Sequence, residues 1–257
     1  MSMPIGPIWS VLHLAIKFPA AAVIIAGGSF FAINYEPPRP MVAITFDDGY
    51  QSVLDIAVPE MTARGMVGTH YIPINLPMSL DRVVEFTNAG WEIGSHSMTQ
   101  TDMTLLSESE LQYELSESKN ILEELTHTEV TSFASPMGRY NDATLAMIAN
   151  YYETHVDAWQ PYPNEWMNTV DDFDPMLIHR IDFSNTSVEE ICEIVTNMND
   201  DEFYVIIFHN LSTEEERPRD VWMYDTTPEQ FTNVLDCVDN ADVDVVTVSE
   251  GAQRMMQ

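Results

Sequence analysis

A chain of 257 residues in which 45% of side chains are hydrophobic can bury one large core and is not a disordered segment. Against 10 basic residues stand 41 acidic ones, a formal net charge of −31, and only Lys17 and Lys119 are lysines. Such a field excludes nucleic acid and anionic membrane surfaces as partners, and it suits a halophilic protein, because salt screens the self-repulsion. The first 35 residues differ from the rest. Phe18–Tyr35 carries no charge and follows Lys17, the pattern of a signal peptide or a signal anchor. At 18 residues this run reaches the short end of the roughly 17–25 that cross a bilayer. An apolar extension packed on the domain is the competing reading. We expect residues 1–35 to direct the protein outward, secreted or with a single-pass N-terminal membrane association, at an extracellular or cell-surface location. Residues 36–40 (Glu36-Pro37-Pro38-Arg39-Pro40) form a stiff linker, and residues 41–257 the working domain.

Beyond the linker, strands and helices alternate. Val42–Phe46 is a β-rich apolar run that predicts a buried strand. Gln51–Arg64 reads as a helix with Val53, Leu54, Ile56, Ala57 and Met61 on its apolar side. Strand Val67–Ile72, helix Leu80–Ala89 and the short strand Trp91–Gly94 follow. Ser107–Leu125 is the clearest helix, and its opening Ser107-Glu108-Ser109-Glu110 has the form of a capping box. Then come strand Thr131–Phe133, helix Asp142–Tyr151, helix Val188–Met198, strand Val205–Phe208, helix Pro228–Val238 and a last strand Val243–Val248. Repeated strand–helix units predict parallel strands with helices outside. The only cysteines, Cys192 and Cys237, fall in two of these helices. They read either as one bridge or as two buried thiols, and neither has metal-site spacing.

Asp47 and Asp48 fall where the first strand ends, and Gly49 permits a sharp backbone exit. Alone, this tripeptide is an ordinary solvated turn. Two adjacent carboxylates leaving a buried strand are nevertheless costly without a compensating charge, and a metal ion would supply one. One carboxylate would then be a ligand and the other a base. Four further blocks follow: residues 65–72 (Gly-Met-Val-Gly-Thr-His-Tyr-Ile), residues 91–100 ending in His96-Ser97-Met98-Thr99-Gln100, Phe133-Ala134-Ser135-Pro136-Met137-Gly138, and Val205-Ile206-Ile207-Phe208-His209-Asn210. In an α/β barrel, groups that follow strands gather at one rim. Asp47, Asp48, His96, the Pro136–Gly138 loop and His209 are therefore expected to converge.

The ordered set resembles the polysaccharide deacetylase family, the NodB-homology domain of carbohydrate esterase family 4. Thr45-Phe46-Asp47-Asp48-Gly49 matches its first motif intact. Residues 96–100 match its His-Ser-x-x-His motif with the second histidine replaced by Gln100, residues 133–138 its Phe-Ala-x-Pro-x-Gly form, and Phe208-His209 its last block. The likeness covers roughly residues 40–250. It implies an α/β fold, a distorted (β/α) barrel of seven strands. It also implies hydrolysis of N-acetyl groups (O-acetyl as the lesser choice) on an acetylated carbohydrate polymer, with Zn²⁺ or another divalent metal such as Co²⁺. By the same resemblance Asp48 and His96 are metal ligands with Gln100 at the third place, and Asp47 is the base that takes a proton from the attacking water. His209 is the acid for the departing amine, and the backbone N–H of Met137 is an oxyanion donor.

The departures from the pattern leave readings open. An amide oxygen is a poorer match to zinc than imidazole. Asp48, His96 and Gln100 could hold metal weakly, or a residue outside the motif could complete the site. Asp102 is the nearest other carboxylate but lies off that face. Alternatively the metal is lost, and the chain is a weakened or inactive glycan-binding relative on a cell or virus surface. Ala134 stands where the other form of the third motif has an arginine that steadies the catalytic aspartate. Arg180 is the best-placed replacement by strand context, and an ordinary ion pair is its equal alternative. His70 and His179 read as core. Trp159, Tyr162, Trp166, Trp222 and Tyr224 lie in loop-rich segments, as wedges of those loops or as platforms for sugar rings. The charge balance makes a direct prediction: the melting temperature rises between about 0.1 M and 2 M salt, and a flat profile in thermal scans would remove the halophile reading.

Overall fold

The computed structural model describes residues 22–26, 29–33, 39–75, 78–158, 167–213 and 225–257. The chain divides into two units, Met1–Pro38 and Arg39–Gln257. In the first, β1 (Ala22–Ala26) and β2 (Ser29–Ile33) pair antiparallel with Ala26 opposite Ser29. Among the described residues no helix is long and apolar enough to cross a membrane.

The second unit is built on one curled sheet. Its strands are β3 (Met41–Phe46), β4 (Thr69–Ile72), β5 (Glu92–Ser95), β6 (Ser132–Ala134), β7 (Thr154–Val156), β8 (Met167–Thr169), β9 (Ile181–Asp182) and β10 (Glu202–Phe208), with β13 (Asp244–Val245). The short β11 (Asn210–Leu211) and β12 (Asp225–Thr226) pair separately. Seven strands follow one another in the order β7-β6-β5-β4-β3-β10-β8, while β13 joins β3 and β9 joins β10. This is the seven-stranded α/β barrel type expected from the sequence. Neighbours are parallel except β8, which runs antiparallel to β10. All-parallel strands were expected, and the three-residue β8 was not foreseen because so short a run carries no periodic signal.

Alternation in the two central strands creates two cores. Val42, Ile44 and Phe46 of β3, with Tyr204, Ile206 and Phe208 of β10, face the helices in the larger core. Met41 and Ala43, with Phe203 and Val205, belong to a smaller core on the other face. Side chains of period two reach both faces of a buried strand, which is why these runs are apolar throughout. Continuing that period past Ala43 places Thr45 and Asp47 on the second face, at the C-terminal end of β3.

The helices are α1 (Val58–Ala63), α2 (Val83–Asn88), α3 (Glu108–Thr126), α4 (Asp142–Ile148), α5 (Val188–Thr196), α6 (Pro228–Asn240) and α7 (Val248–Met255). Helix α3 opens on the expected Ser107–Glu110 capping box. Ahead of α1, residues Val53–Ala57 form a π-turn, and the Val58 N–H reaches the Val53 carbonyl. Pro59 follows at once and lacks a donor, so the widened turn absorbs the break in the ladder. Helix α7 corrects the expected strand at Val243–Val248. Only Asp244–Val245 pair with β3. Thr247 then accepts the Glu250 N–H as an N-cap, and Val248, Ala252 and Met255 enter the smaller core. The β-branched run looked extended, yet cap and burial decide for helix.

Cys192 of α5 and Cys237 of α6 form a disulfide with their Cα atoms 5.3 Å apart, which settles the two open readings in favour of the bridge. It closes a loop with a sequence separation of 45. Replacing both cysteines by serine is expected to cost about 2–4 kcal/mol of stability, measured as a lower urea midpoint, with a steeper slope as the unfolded chain expands.

Candidate functional site

Each expected site residue leaves the end of a strand. Asp47 follows β3, and its backbone N–H donates to the Phe208 carbonyl at 3.1 Å. Phe208 lies opposite Phe46 in the ladder, so His209, the next residue, is brought beside the Asp47–Asp48 pair. His96 follows β5. Its Nδ1 donates to the Ala134 carbonyl at the end of β6 (2.9 Å), and its Nε2 faces Asp48 Oδ1 at 3.5 Å. The Gln100 side-chain amide donates to that same Oδ1. The structure therefore brings Asp48, His96 and Gln100 together. Met137 lies on the turn after β6 with its backbone in the left-handed region (φ 58°).

Asp47 is 2% exposed and is held by a buried arginine. Arg180 Nη1 donates to Oδ1 at 2.8 Å and Nη2 to Oδ2 at 2.9 Å, a two-pronged pair from the segment leading into β9. The Arg180 replacement for the missing third-motif arginine is thus present in geometry. Burial works to raise the Asp47 pKa, but Arg180, His96 and His209 outweigh it and hold the carboxyl at about 2. The guanidinium lies 5.3 Å from the centre of the Tyr71 ring. A Cβ at Gly94 would fall 2.4 Å from that ring, so only glycine lets Tyr71 lie there. Asp48 is held below the usual carboxylate range, since its neighbours His96 and His209 overcome its burial. Burial pulls the His96 pKa down, and the charges of Asp47 and Asp48 raise it above the ordinary imidazole value.

Two residues of this network were not singled out from sequence. Asp157, just after β7, accepts the Arg180 N–H on Oδ1 (3.3 Å) and binds His179 Nδ1 through Oδ2 (2.7 Å). Its signal was available, since it too is an acid at a strand end. Glu114 sits on the core side of α3 and binds the turn after His96. Its signal was a carboxylate within the apolar row Leu111, Leu115 and Leu122. His70 is core as expected: it packs against Phe86 with ring centres 4.7 Å apart, and burial lowers its pKa to about 3. His179 is 43% exposed in its side chain, which corrects the core expectation; its Nδ1 contact with Asp157 Oδ2 (2.7 Å) fixes the ring at the surface. Asp102 is engaged elsewhere: it pairs with Arg139 at 2.7 Å and accepts the Thr104 N–H as a cap. Trp159, Tyr162, Trp166, Trp222 and Tyr224 lie outside the described residues.

Backbone strain gathers at the same rim. Among the described residues five non-glycines have positive φ, and four are Asp48, Ser97, Gln100 and Met137. Side chains other than glycine adopt this region reluctantly, and it is tolerated where surrounding contacts enforce a functional geometry.

The donor set at this rim has the chemistry of a divalent-cation site. With His96 neutral, the Asp47–Arg180 pair balances itself and Asp48 is left with an uncompensated charge. A carboxylate, an imidazole whose Nε2 faces it and an amide converge there, and a half-turn of the Gln100 amide presents oxygen instead of nitrogen. Among the described residues no group of three His, Cys, Asp or Glu side chains could hold a metal. The residues fit a cation bound by Asp48 and His96, with Gln100 as third donor.

A curled parallel sheet with acids, imidazole and arginine at its C-terminal rim defines a NodB-type α/β domain. Residues 34–154 match the model of the polysaccharide deacetylase family, the same family that the motifs resemble. A putative polysaccharide deacetylase of Bacillus subtilis, YxkH, is 30% identical over 115 residues, which are 43% of this chain and 41% of that one. The chain spans less than half the length of the curated relatives it matches. Among solved structures, a family 4 acetyl xylan esterase from Clostridium thermocellum in complex with cobalt shares the fold with a TM-score of 0.55 at 18% identity, covering 82% of this chain and 89% of that one. A mutant of a family 4 pseudoenzyme with restored activity gives 0.58 at 15% identity, over 84% and 69%. The family matched here hydrolyses acetyl groups from polysaccharides and generally depends on a divalent metal. Arg180 and His209 lie beyond the matched stretch.

Removing half of the buried pair should be severe. Arg180→Met is expected to destabilise the domain by about 3–5 kcal/mol in urea titrations, because Asp47 is left charged and buried. Arg180→Lys, which keeps the charge but not the fork, should fall between this variant and the native chain.

Proposed function

We propose that this chain is a metal-dependent deacetylase that removes N-acetyl groups from a surface or extracellular polysaccharide. The observation that carries the reading is the meeting of Asp48, His96 and Gln100 beside an Asp47 kept ionised by Arg180. A divalent cation held by those three, Zn²⁺ or Co²⁺, would act as the Lewis acid that polarises the acetyl carbonyl and acidifies a water. Asp47 accepts the proton of the attacking water on a lone pair that Arg180 leaves open. The Met137 N–H, on its strained turn, donates to the oxygen as it gains charge. His209 gives a proton to the departing amine. The apolar segment before the linker, read as a signal peptide or anchor, and the Cys192–Cys237 bridge support an oxidising location outside the cytoplasm.

A second reading is favoured by one contact. Gln100 donates an N–H to Asp48 and so occupies the carboxylate that a cation requires. In this reading the chain is a weakened deacetylase or a glycan-binding relative.

Acetate release from acetylated glucosamine oligomers in molar salt, with and without added Zn²⁺ or Co²⁺, separates the two. The enzyme reading expects metal-dependent acetate, and no acetate at any metal loading, with glycan binding retained, would sink it. Asp47→Asn should lower turnover by about 10²–10⁴-fold while keeping metal, whereas Asp48→Asn should lose the metal as well. Gln100→His should raise zinc affinity at least about tenfold, since even partners outside the ligand shell change it by that much.

A further inference from the structure

We propose that Glu114 is a positioning residue of the turn Ser97–Gln100: its carboxylate holds the turn so that His96 and Gln100 both face Asp48. The inference rests on the reading of that turn as the bearer of metal donors. Glu114 is 5% exposed, midway along α3, in a row with Leu111, Leu115 and Leu122. An apolar side chain would fill this place without the desolvation that a carboxylate suffers. What offsets that cost is the turn itself. Oε2 accepts the Met98 N–H at 2.9 Å and the Thr99 N–H at 3.0 Å, and Oε1 accepts the Thr99 hydroxyl at 2.7 Å. Both backbone donors lie between Ser97 (φ 70°) and Gln100 (φ 55°), two non-glycines in the left-handed region. The carboxylate therefore binds the middle of the turn whose two ends are strained.

Ser118, one helical turn further along α3, adds a second hold. It accepts from the Ser95 hydroxyl at 2.8 Å, and Ser95 Oγ in turn accepts the Ser97 N–H at 3.3 Å. Ser97 Oγ accepts the Gln100 N–H at 3.0 Å. Helix α3 thus grips the turn at its middle and its start, while the Ala134 carbonyl and Asp48 fix the two side chains that leave it. Loss of groups that orient metal donors in this way typically weakens metal binding by about 10- to 100-fold.

The test compares Glu114→Ala, Glu114→Gln and Thr99→Val in the full chain at molar salt. One readout is Zn²⁺ affinity by competition with a chromophoric chelator. The other is the NMR resonance of the Gln100 side-chain amide in metal-free protein, which reports its bond to Asp48. Glu114→Ala should weaken zinc binding by about 10- to 100-fold and move the Gln100 signal toward that of a free amide. Glu114→Gln should retain both, because its amide oxygen accepts the two N–H groups and its nitrogen donates to the Thr99 hydroxyl oxygen. Thr99→Val, at an exposed position, leaves the fold intact and should show a smaller loss in the same direction. Should Glu114→Ala fail to fold, Thr99→Val decides alone. Unchanged zinc affinity and an unmoved Gln100 signal would overturn the proposal. If the native chain binds no zinc that Asp48→Ala abolishes, the metal reading fails by itself. The Gln100 signal then still decides on Glu114: its loss sustains the positioning role and its retention refutes it.

Discussion

A carboxylate and a guanidinium, both withdrawn from water, meet where the two central strands end. Neither Asp47 nor Arg180 could remain buried without the other. Their two-pronged contact in turn accounts for much around it: the Tyr71 ring beneath the guanidinium, the absent side chain at Gly94, and Asp157 on the far side. Because the pair balances its own charge, Asp48 is the carboxylate left facing His96 and Gln100. That single carboxylate is the natural meeting point for His96, Gln100 and any cation.

The rim is held by tertiary bonds more than by regular structure. The turns carrying Asp48, Gln100 and Met137 each contain a residue in the left-handed region, and each is tied to a neighbouring strand or helix. Ser52 supplies another such tie, donating to Asn210 Oδ1 at 2.7 Å and accepting the Leu211 N–H at 3.0 Å. A hydroxyl just after the Asp-Asp-Gly loop thereby fixes the strand that follows His209.

Much of this was legible before any coordinates. The apolar run into Asp47 and Asp48 announced both the central strand and the end where charge would gather. Ser107 and Glu110 announced the start of α3, and the His96–Gln100 spacing put both residues on one turn, whose side chains meet Asp48. Other features were not legible for definite reasons. Val245, Val246, Thr247 and Val248 have strand-like side chains, and only the Thr247 cap and the space within the smaller core turn α7 into a helix. Arg180 could be nominated by its strand context, yet its pairing with Asp47 spans 133 positions and depends on how the sheet curls. Glu114 reads locally as one more acid in an acidic helix, and its partners become visible only when the loop after β5 folds back onto α3. The cysteine bridge likewise depends on two helices packing side by side.

The position of Arg180 along the chain has a consequence for how the protein comes into being. As the polypeptide leaves the ribosome, Asp47 emerges long before the group that neutralises it, together with β3, β4, β5, β6 and β7. Those strands can pair early, but the inner end of β3 must stay wet, since closing it over an unpaired carboxylate is costly. Drying of that face waits for Arg180 and for β10, whose ladder with β3 runs from Met41 to Phe46. The order of synthesis therefore keeps this acidic end of the sheet open until the last third of the chain arrives. A nascent chain halted after β7 would be a family-matched stretch whose acidic end still belongs to solvent.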